Sequence, residues 1–163
     1  MNKMSKTIVP APVRKSVHVG APPDRAFKVF TAGIGRWWPK SHHIGTADLD
    51  LQVIEPKAGG RWYERGIDGS ECDIGKVLVW QPPTRLVLAW QVSAAWKFDP
   101  GLVTEVEVRF IADGPNSTRV ELEHRDLERY GESADGFRAT IDSPEGWTGI
   151  LQLFKQAAEQ SEG

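Results

Sequence analysis

Seven tryptophans, at positions 37, 38, 62, 80, 90, 96 and 147, are the most unusual chemical feature of this 163-residue sequence. A large ring with one polar edge suits an enclosed site for a flat or lipidic molecule. A domain of this size rarely needs so many such rings to fill space, so they point to a roomy, aromatic-walled interior. Trp37, Trp62, Trp80, Trp90 and Trp147 are the first cavity-lining candidates. Plain core packing is the alternative for each, and the facing of Trp80 is ambiguous. Trp96 and Phe98 fall in a hairpin loop, where they gate the cavity mouth, form a partner surface or pack the loop.

Acid–base chemistry needs an inward polar group, and Glu64 shares a strand face with Trp62. A carboxylate in an apolar cavity has a raised pKa and serves as acid or base, with Arg61 or His124 as candidate partners. The alternative is a Glu64 that sits near a strand end in water or pairs with Arg65. The histidines are His18, His42, His43 and His124. None has metal-ligand spacing, and adjacent residues such as His42 and His43 point their rings apart, so no metal is expected. His124 shares a face with Val120 and Leu122 and reads as an inward core or edge histidine with its hydrogen bonds satisfied. Cys72 is the only cysteine, which rules out an internal disulfide and a thiolate cluster. No serine–histidine–acid motif appears, and Gly59-Gly60 reads as a turn rather than a phosphate loop. No cofactor and no catalysis are therefore expected.

Lys plus Arg is 20 against 22 for Asp plus Glu, a formal charge of −2, so there is no basic excess for a nucleic-acid backbone. The first dozen residues lack the apolar run of a secretory signal. No segment approaches the roughly 18 apolar residues of a membrane span. The expectation is a cytoplasmic protein, with residues 1–12 an extended or disordered tail and 13–163 a single domain.

Positioning these groups requires a frame, which the hydrophobic pattern supplies. Val13, Val17 and Val19 alternate over 13–19 as in a half-buried strand. Ala21-Pro22-Pro23 opens a short helix with Ala26, Phe27 and Phe30 at helical spacing. Gly33 and Gly35 break it, and a second short turn carries Trp37-Trp38. Strand-like runs follow at about 49–55, 60–66, 71–81, 84–92, 102–112 and 117–125, divided by Pro, Gly and Asp turns. With no crossover helix between them, they predict an antiparallel meander. Its inward faces add Leu88, Val106 and Leu122 to the cavity candidates. Its outward charges, Glu105, Glu107, Arg109, Arg119, Glu121 and Glu123, read as a solvated face whose pairs are each worth under about 1 kcal/mol. Residues 126–140 are polar and read as a surface loop. Ser143-Pro144-Glu145 then starts a helix to about residue 160, with Trp147, Ile150, Leu151, Phe154 and Ala158 on one face, and Leu151 joins the cavity candidates.

The order β-α-α-β6-α predicts an α+β fold, a curved seven-stranded antiparallel sheet wrapped around one long C-terminal helix. A helix is only about 10 Å across and cannot fill such a concavity, which leaves a cavity between helix and sheet.

This order resembles the helix-grip fold of the START-like, or SRPBCC, superfamily. Within it, the sequence is similar to the family of activator of heat-shock-protein-90 ATPase homologues. The matching pieces are Ala21-Pro22-Pro23 with Ala26-Phe27, Trp37-Trp38, Gly59-Gly60-Arg61-Trp62, Gly75-Lys76-Val77-Leu78, and Pro82-Pro83 with Arg85 to Trp90. Thr104 to Phe110, Thr118 to Leu122 and Gly146-Trp147 with Leu151 complete the set, over about residues 13–160. The resemblance implies the fold directly and function only by analogy. The leading expectation is a non-catalytic binder of a small hydrophobic molecule. A chaperone-associated interaction protein is the second reading, although the additional N-terminal domain of eukaryotic activators has no counterpart here. A cyclase- or dehydratase-type enzyme is the third.

Overall fold

The computed structural model describes residues 9–160. Residues 1–8, most of the expected tail, and 161–163 lie outside the described residues. The chain opens with strand β1 (Val13–Val19) and helices α1 (Pro23–Thr31) and α2 (Ile34–Trp37). Six strands follow: β2 (Leu49–Ile54), β3 (Arg61–Gly66), β4 (Glu71–Gln81), β5 (Arg85–Trp90), β6 (Thr104–Gly114) and β7 (Ser117–Arg125). They form one antiparallel sheet in the order β1-β7-β6-β5-β4-β3-β2. Four of its six strand pairs contain a bulge, which bends a sheet and increases its twist. The result is the curved seven-stranded sheet expected from the sequence.

Two parts of the sequence reading need correction, the 126–140 loop and the start of the C-terminal helix, which lies at Gly149 rather than at Ser143-Pro144-Glu145. Residues 126–140 are not an irregular surface loop, because a tight helical segment (Leu127–Ser133) leads into helix α3 (Ala134–Asp142). Ala134, Phe137 and Ile141 are its buried face. The chain then turns through Pro144–Thr148, and α4 (Gly149–Gln160) is the helix proper, about 18 Å long. Gly146 leaves helical geometry inside that turn, and a Cβ there would stand 2.2 Å from the Ile141 carbonyl oxygen. Only glycine permits this approach, which sets the entry angle of α4.

The interior is solid at the α1 end. Phe27 packs edge-on against Phe110 and Trp80, each at 5.1 Å, and Phe30 against Phe154 at 5.1 Å. Ile150, Leu151, Phe154 and Ala158 are the buried stripe of α4. Burial of this kind yields about 25 cal/mol per Å² of apolar surface, so the α1–α4–sheet contact anchors the fold. No helix among the described residues is long and apolar enough to cross a membrane.

Candidate ligand cavity

At the opposite end the sheet is not filled. Strands β2 to β5 curve beneath the 38–45 loop, the end of α3 and the turn before α4, and enclose about 270 Å³. Its walls are mainly Trp38, Ile44, Ile74, Trp90, Val92, Ile141, Trp147 and Ile150, with Trp96 at the rim. Trp96 is 42% exposed and holds φ of 61°, a left-handed conformation rare for a bulky residue. Its ring rests 5.2 Å from Phe137.

Four indoles form a closed circuit at one side of this space, with Trp38, Trp90 and Trp147 on its lining and Trp62 behind them. Trp38 meets Trp62 at 6.5 Å, Trp62 meets Trp90 at 5.7 Å, Trp90 meets Trp147 at 5.9 Å, and Trp147 returns to Trp38 at 6.1 Å. All four contacts are edge-to-face, the arrangement that aromatic quadrupoles favour. The rings therefore brace one another rather than collapse into the cavity.

Hydrogen bonds fix the rings. Trp62 donates its indole N–H to Gln52 Oε1 at 2.9 Å, and Trp38 donates to the His42 carbonyl at 2.8 Å. The Trp147 N–H donates to His124 Nδ1 at 3.1 Å. An indole nitrogen can only donate, so Nδ1 is unprotonated and Nε2 carries the imidazole hydrogen. Nε2 lies 2.8 Å from Thr104 Oγ1, which donates in turn to the Trp90 carbonyl at 3.1 Å. The fully buried His124 is held down to about 3 by desolvation. Trp90 is the exception among these rings, because its sealed N–H has no hydrogen-bond partner among the described residues. The Tyr130 hydroxyl lies beside it but donates to the Val92 carbonyl at 2.6 Å.

The roof is clasped by His42. Its Nε2 donates to the Glu145 carbonyl at 2.7 Å, tying the 38–45 loop to the turn before α4. The loop's other anchor is Glu64, only 3% exposed, whose carboxylate accepts the Ile44 and Gly45 N–H groups at 2.9 Å each. Glu64 thus bonds to backbone rather than standing in water or pairing with Arg65.

Of the residues singled out from sequence, Glu64, Trp90 and Trp147 line the cavity. Trp62 and His124 stand directly behind them, joined by the contacts just described. The others lie elsewhere. Trp37 packs on Phe30 and Phe154 and donates to the Val29 carbonyl at 2.8 Å. Trp80 lies against Phe27 beside Pro82 and Pro83, because the solid core stands between it and the cavity. Leu88, Val106, Leu122 and Leu151 are sealed in that core, at 2% exposure or less. Arg61 faces outward, bonded to Asp73 and Glu71 and laid over the Tyr63 ring at 4.0 Å.

Sequence reasoning missed many of the lining residues, among them Ile44, Ile74, Ile141, Gln52 and Trp38. Strict alternation would place Leu49, Leu51 and Val53 inward. A bulge between Leu49 and Leu51 reverses the parity, so Gln52, at 3% exposure, and Ile54 point in. Nothing in the strand's sequence announces that shift. For Trp38 the signal was its place beside Trp37, which shows that the two rings leave the backbone in different directions.

A curved antiparallel sheet gripping a C-terminal helix, with a mainly apolar cavity between them, defines the helix-grip fold. Residues 20–159 match the family described as activator of Hsp90 ATPase homolog 1-like protein, and the chain belongs to that family. It is similar to an anthrahydroquino-gamma-pyrone synthase, Txn09, with 38% identity over 91% of this chain and 97% of that one, at a TM-score of 0.65. It is also similar to CalC, a self-sacrificing resistance protein from Micromonospora echinospora. There the identity is 34% over 92% and 95% of the two chains, with a TM-score of 0.69. An HSP90 activator from Plasmodium falciparum shares the fold, at 19% identity over 88% and 95% and a TM-score of 0.60. No curated protein sequence matches the chain.

Proposed function

We propose that this protein binds a flat, largely apolar molecule of two or three fused rings in the tryptophan-walled cavity. The observation that carries the reading is the mainly apolar cavity of about 270 Å³ lined by Trp38, Trp90, Trp96 and Trp147, with three of these indoles braced edge-to-face in a circuit with Trp62. That volume is just below the roughly 300–1,000 Å³ typical of small-molecule pockets, so it suits a compact ring system better than a long acyl chain. Indole faces and edges offer a ring system both stacking and edge contacts. A relative whose name states a fused aromatic product, at 38% identity, supports the same ligand class.

Thermal unfolding in the presence of a library of fused aromatics tests it. A ligand at a hundred times its Kd stabilises the native state by about 2.7 kcal/mol. For a chain of this length that corresponds to a rise of roughly 5–10 °C in Tm. No shift with any fused aromatic would overturn the proposal.

A second reading has one observation in its favour. Glu64, almost fully buried on the cavity wall, is a group able to exchange a proton with a bound ring system. Ring closure or dehydration of a bound precursor is the chemistry it would serve. Turnover that disappears in Glu64→Gln while ligand binding persists would establish it. The chaperone reading rests on the family's description, and ATP turnover of the chaperone with and without this protein decides it.

A further inference from the structure

Gln52 and Glu64 are cross-strand partners on β2 and β3, and both line the cavity. Side chains directly opposite in an antiparallel pair have Cβ atoms about 4.5–5.5 Å apart, close enough to meet one small molecule together. Their hydrogen-bonding capacities are complementary. Gln52 Oε1 is committed to the Trp62 indole N–H, which can only donate, and this fixes the amide orientation. Its Nε2 then has no hydrogen-bond partner among the described residues. That nitrogen is not sealed, since Trp90 Nε1 is the unpaired buried atom without access among the described residues. In a side chain 3% exposed on the cavity wall, the remaining access is from the cavity itself.

Glu64 offers the opposite polarity. Each carboxylate oxygen takes one backbone N–H, from Ile44 and from Gly45. A carboxylate has about four lone-pair sites, so two are left for a ligand. Gly45 matters here, because a Cβ at that position would stand 3.0 Å from Oε2 and push the loop off the carboxylate. An unused amide donor beside a half-used carboxylate, in a mainly apolar chamber, is a built recognition pair. Leaving both uncovered by a ligand of the wrong chemistry is costly, which is how polar groups in apolar sites discriminate.

Resting on the fused-aromatic reading above, we infer that the Gln52–Glu64 pair recognises an acceptor and a donor set side by side on one edge of the ligand. The acceptor is a ring carbonyl, which takes the Gln52 N–H. The donor is an adjacent N–H or O–H, which is given to Glu64. Lactams, enolised dicarbonyls and hydroxy-ketones without an internal hydrogen bond are the class that carries this edge. The remainder of the ligand packs against Trp38, Trp90 and Trp147.

Calorimetric titration of the full chain with naphthalene, coumarin and 2-quinolinone tests this. The three share size and shape and present, in turn, no polar edge, an acceptor alone, and an acceptor beside a donor. 2-Quinolinone is expected to bind roughly three- to tenfold more tightly than coumarin, from one added hydrogen bond. In Gln52→Met, both polar probes weaken by about the same factor while naphthalene holds its affinity. Equal affinity of the unaltered protein for all three probes would overturn the recognition pair and leave the aromatic-binding reading standing. Binding of none of them overturns both. If Gln52→Met fails to fold, because the Trp62 N–H loses its acceptor, the probe series on the unaltered chain still decides.

Discussion

Trp147 donates its indole N–H to Nδ1 of His124 across 3.1 Å, in the buried space between the turn before α4 and strand β7. This bond ties that turn, part of the cavity wall, to the sheet. It also makes the neutral, Nε2-protonated imidazole the only form that satisfies all of its neighbours. A proton added at Nδ1 would face the indole hydrogen.

The consequence is a pH dependence of stability. Desolvation lowers His124 from 6.5 to about 3 in the folded state. Its folded pKa is depressed, so the unfolded chain takes up the proton first as pH falls. The stabilisation is complete above about pH 6.5 and declines by about 1.4 kcal/mol per unit as pH drops towards the folded value. Urea midpoints at pH 7.5, 6 and 5 should fall in that order, and the slope should flatten in His124→Gln. Equal midpoints across this range would contradict the assignment.

Truncating the other partner tests whether the C-terminal segment is docked. Trp147→Ala removes a ring that contacts Trp38, Trp90 and His124. A loss of about 3–5 kcal/mol is expected, as for other buried aromatics cut to alanine. Trp147→Phe, which keeps a ring but leaves His124 Nδ1 without its donor, should cost about 1–3 kcal/mol. A loss under about 1 kcal/mol in the alanine variant would mean that the ring is not packed as described.

On the outer sheet face, Glu107 departs from the bland reading its sequence suggests. It is 6% exposed and accepts hydrogen bonds from Arg85 at 2.6 Å, Arg109 at 2.9 Å and Arg125 at 2.6 Å. Burial alone would raise its pKa, but the three guanidinium groups outweigh it and hold the carboxyl at about 2. Its folded pKa is likewise depressed, so its contribution is present above about pH 4.5 and lost as pH falls towards 2. Glu107→Gln leaves three arginines facing one another and should cost roughly 1–3 kcal/mol at pH 7, with less effect near pH 3. An effect that does not shrink on acidification would exclude this account.

Trp96 at the rim should govern access rather than stability. It is half-exposed, and its principal ring contact is with Phe137. Trp96→Ala is expected to change stability by less than about 1 kcal/mol. Its effect should appear as faster ligand dissociation, seen by stopped-flow fluorescence. Unchanged dissociation with lowered stability would assign the ring to packing instead.

The hydrophobic alternation of the strands, the stripe of α1 and the apolar spacing of Ile150, Leu151, Phe154 and Ala158 were enough to place the sheet and the helix it grips, although that helix starts at Gly149 rather than at Ser143-Pro144. Period two and period 3.6 report which face is buried, and the fold follows from that. What they do not report is a shift of parity inside a strand. The Leu49/Leu51 bulge therefore hid Gln52, the residue that with Glu64 forms the polar end of the cavity. The α3 segment was obscured by its polar composition and Gly136, although Ala134, Phe137 and Ile141 carried a helical spacing. Glu107 was misjudged because alternation assigns a side of the sheet without showing that three arginines from different strands close over it. The tryptophan count signalled the cavity. Which indoles border it depended on where the aromatic core around Phe27, Phe30 and Phe154 ends.

The central claim is that ligand enters the chamber bordered by one subset of the tryptophans, and indole N–H resonances read this one ring at a time. With uniformly ¹⁵N-labelled protein, titration of 2-quinolinone should move the Trp38, Trp90, Trp96 and Trp147 signals together along one saturating curve. Trp80, packed against Phe27 at the far end, should stay in place. Motion of Trp80 with the chamber indoles still, or no saturable change at any of the seven, would contradict the account.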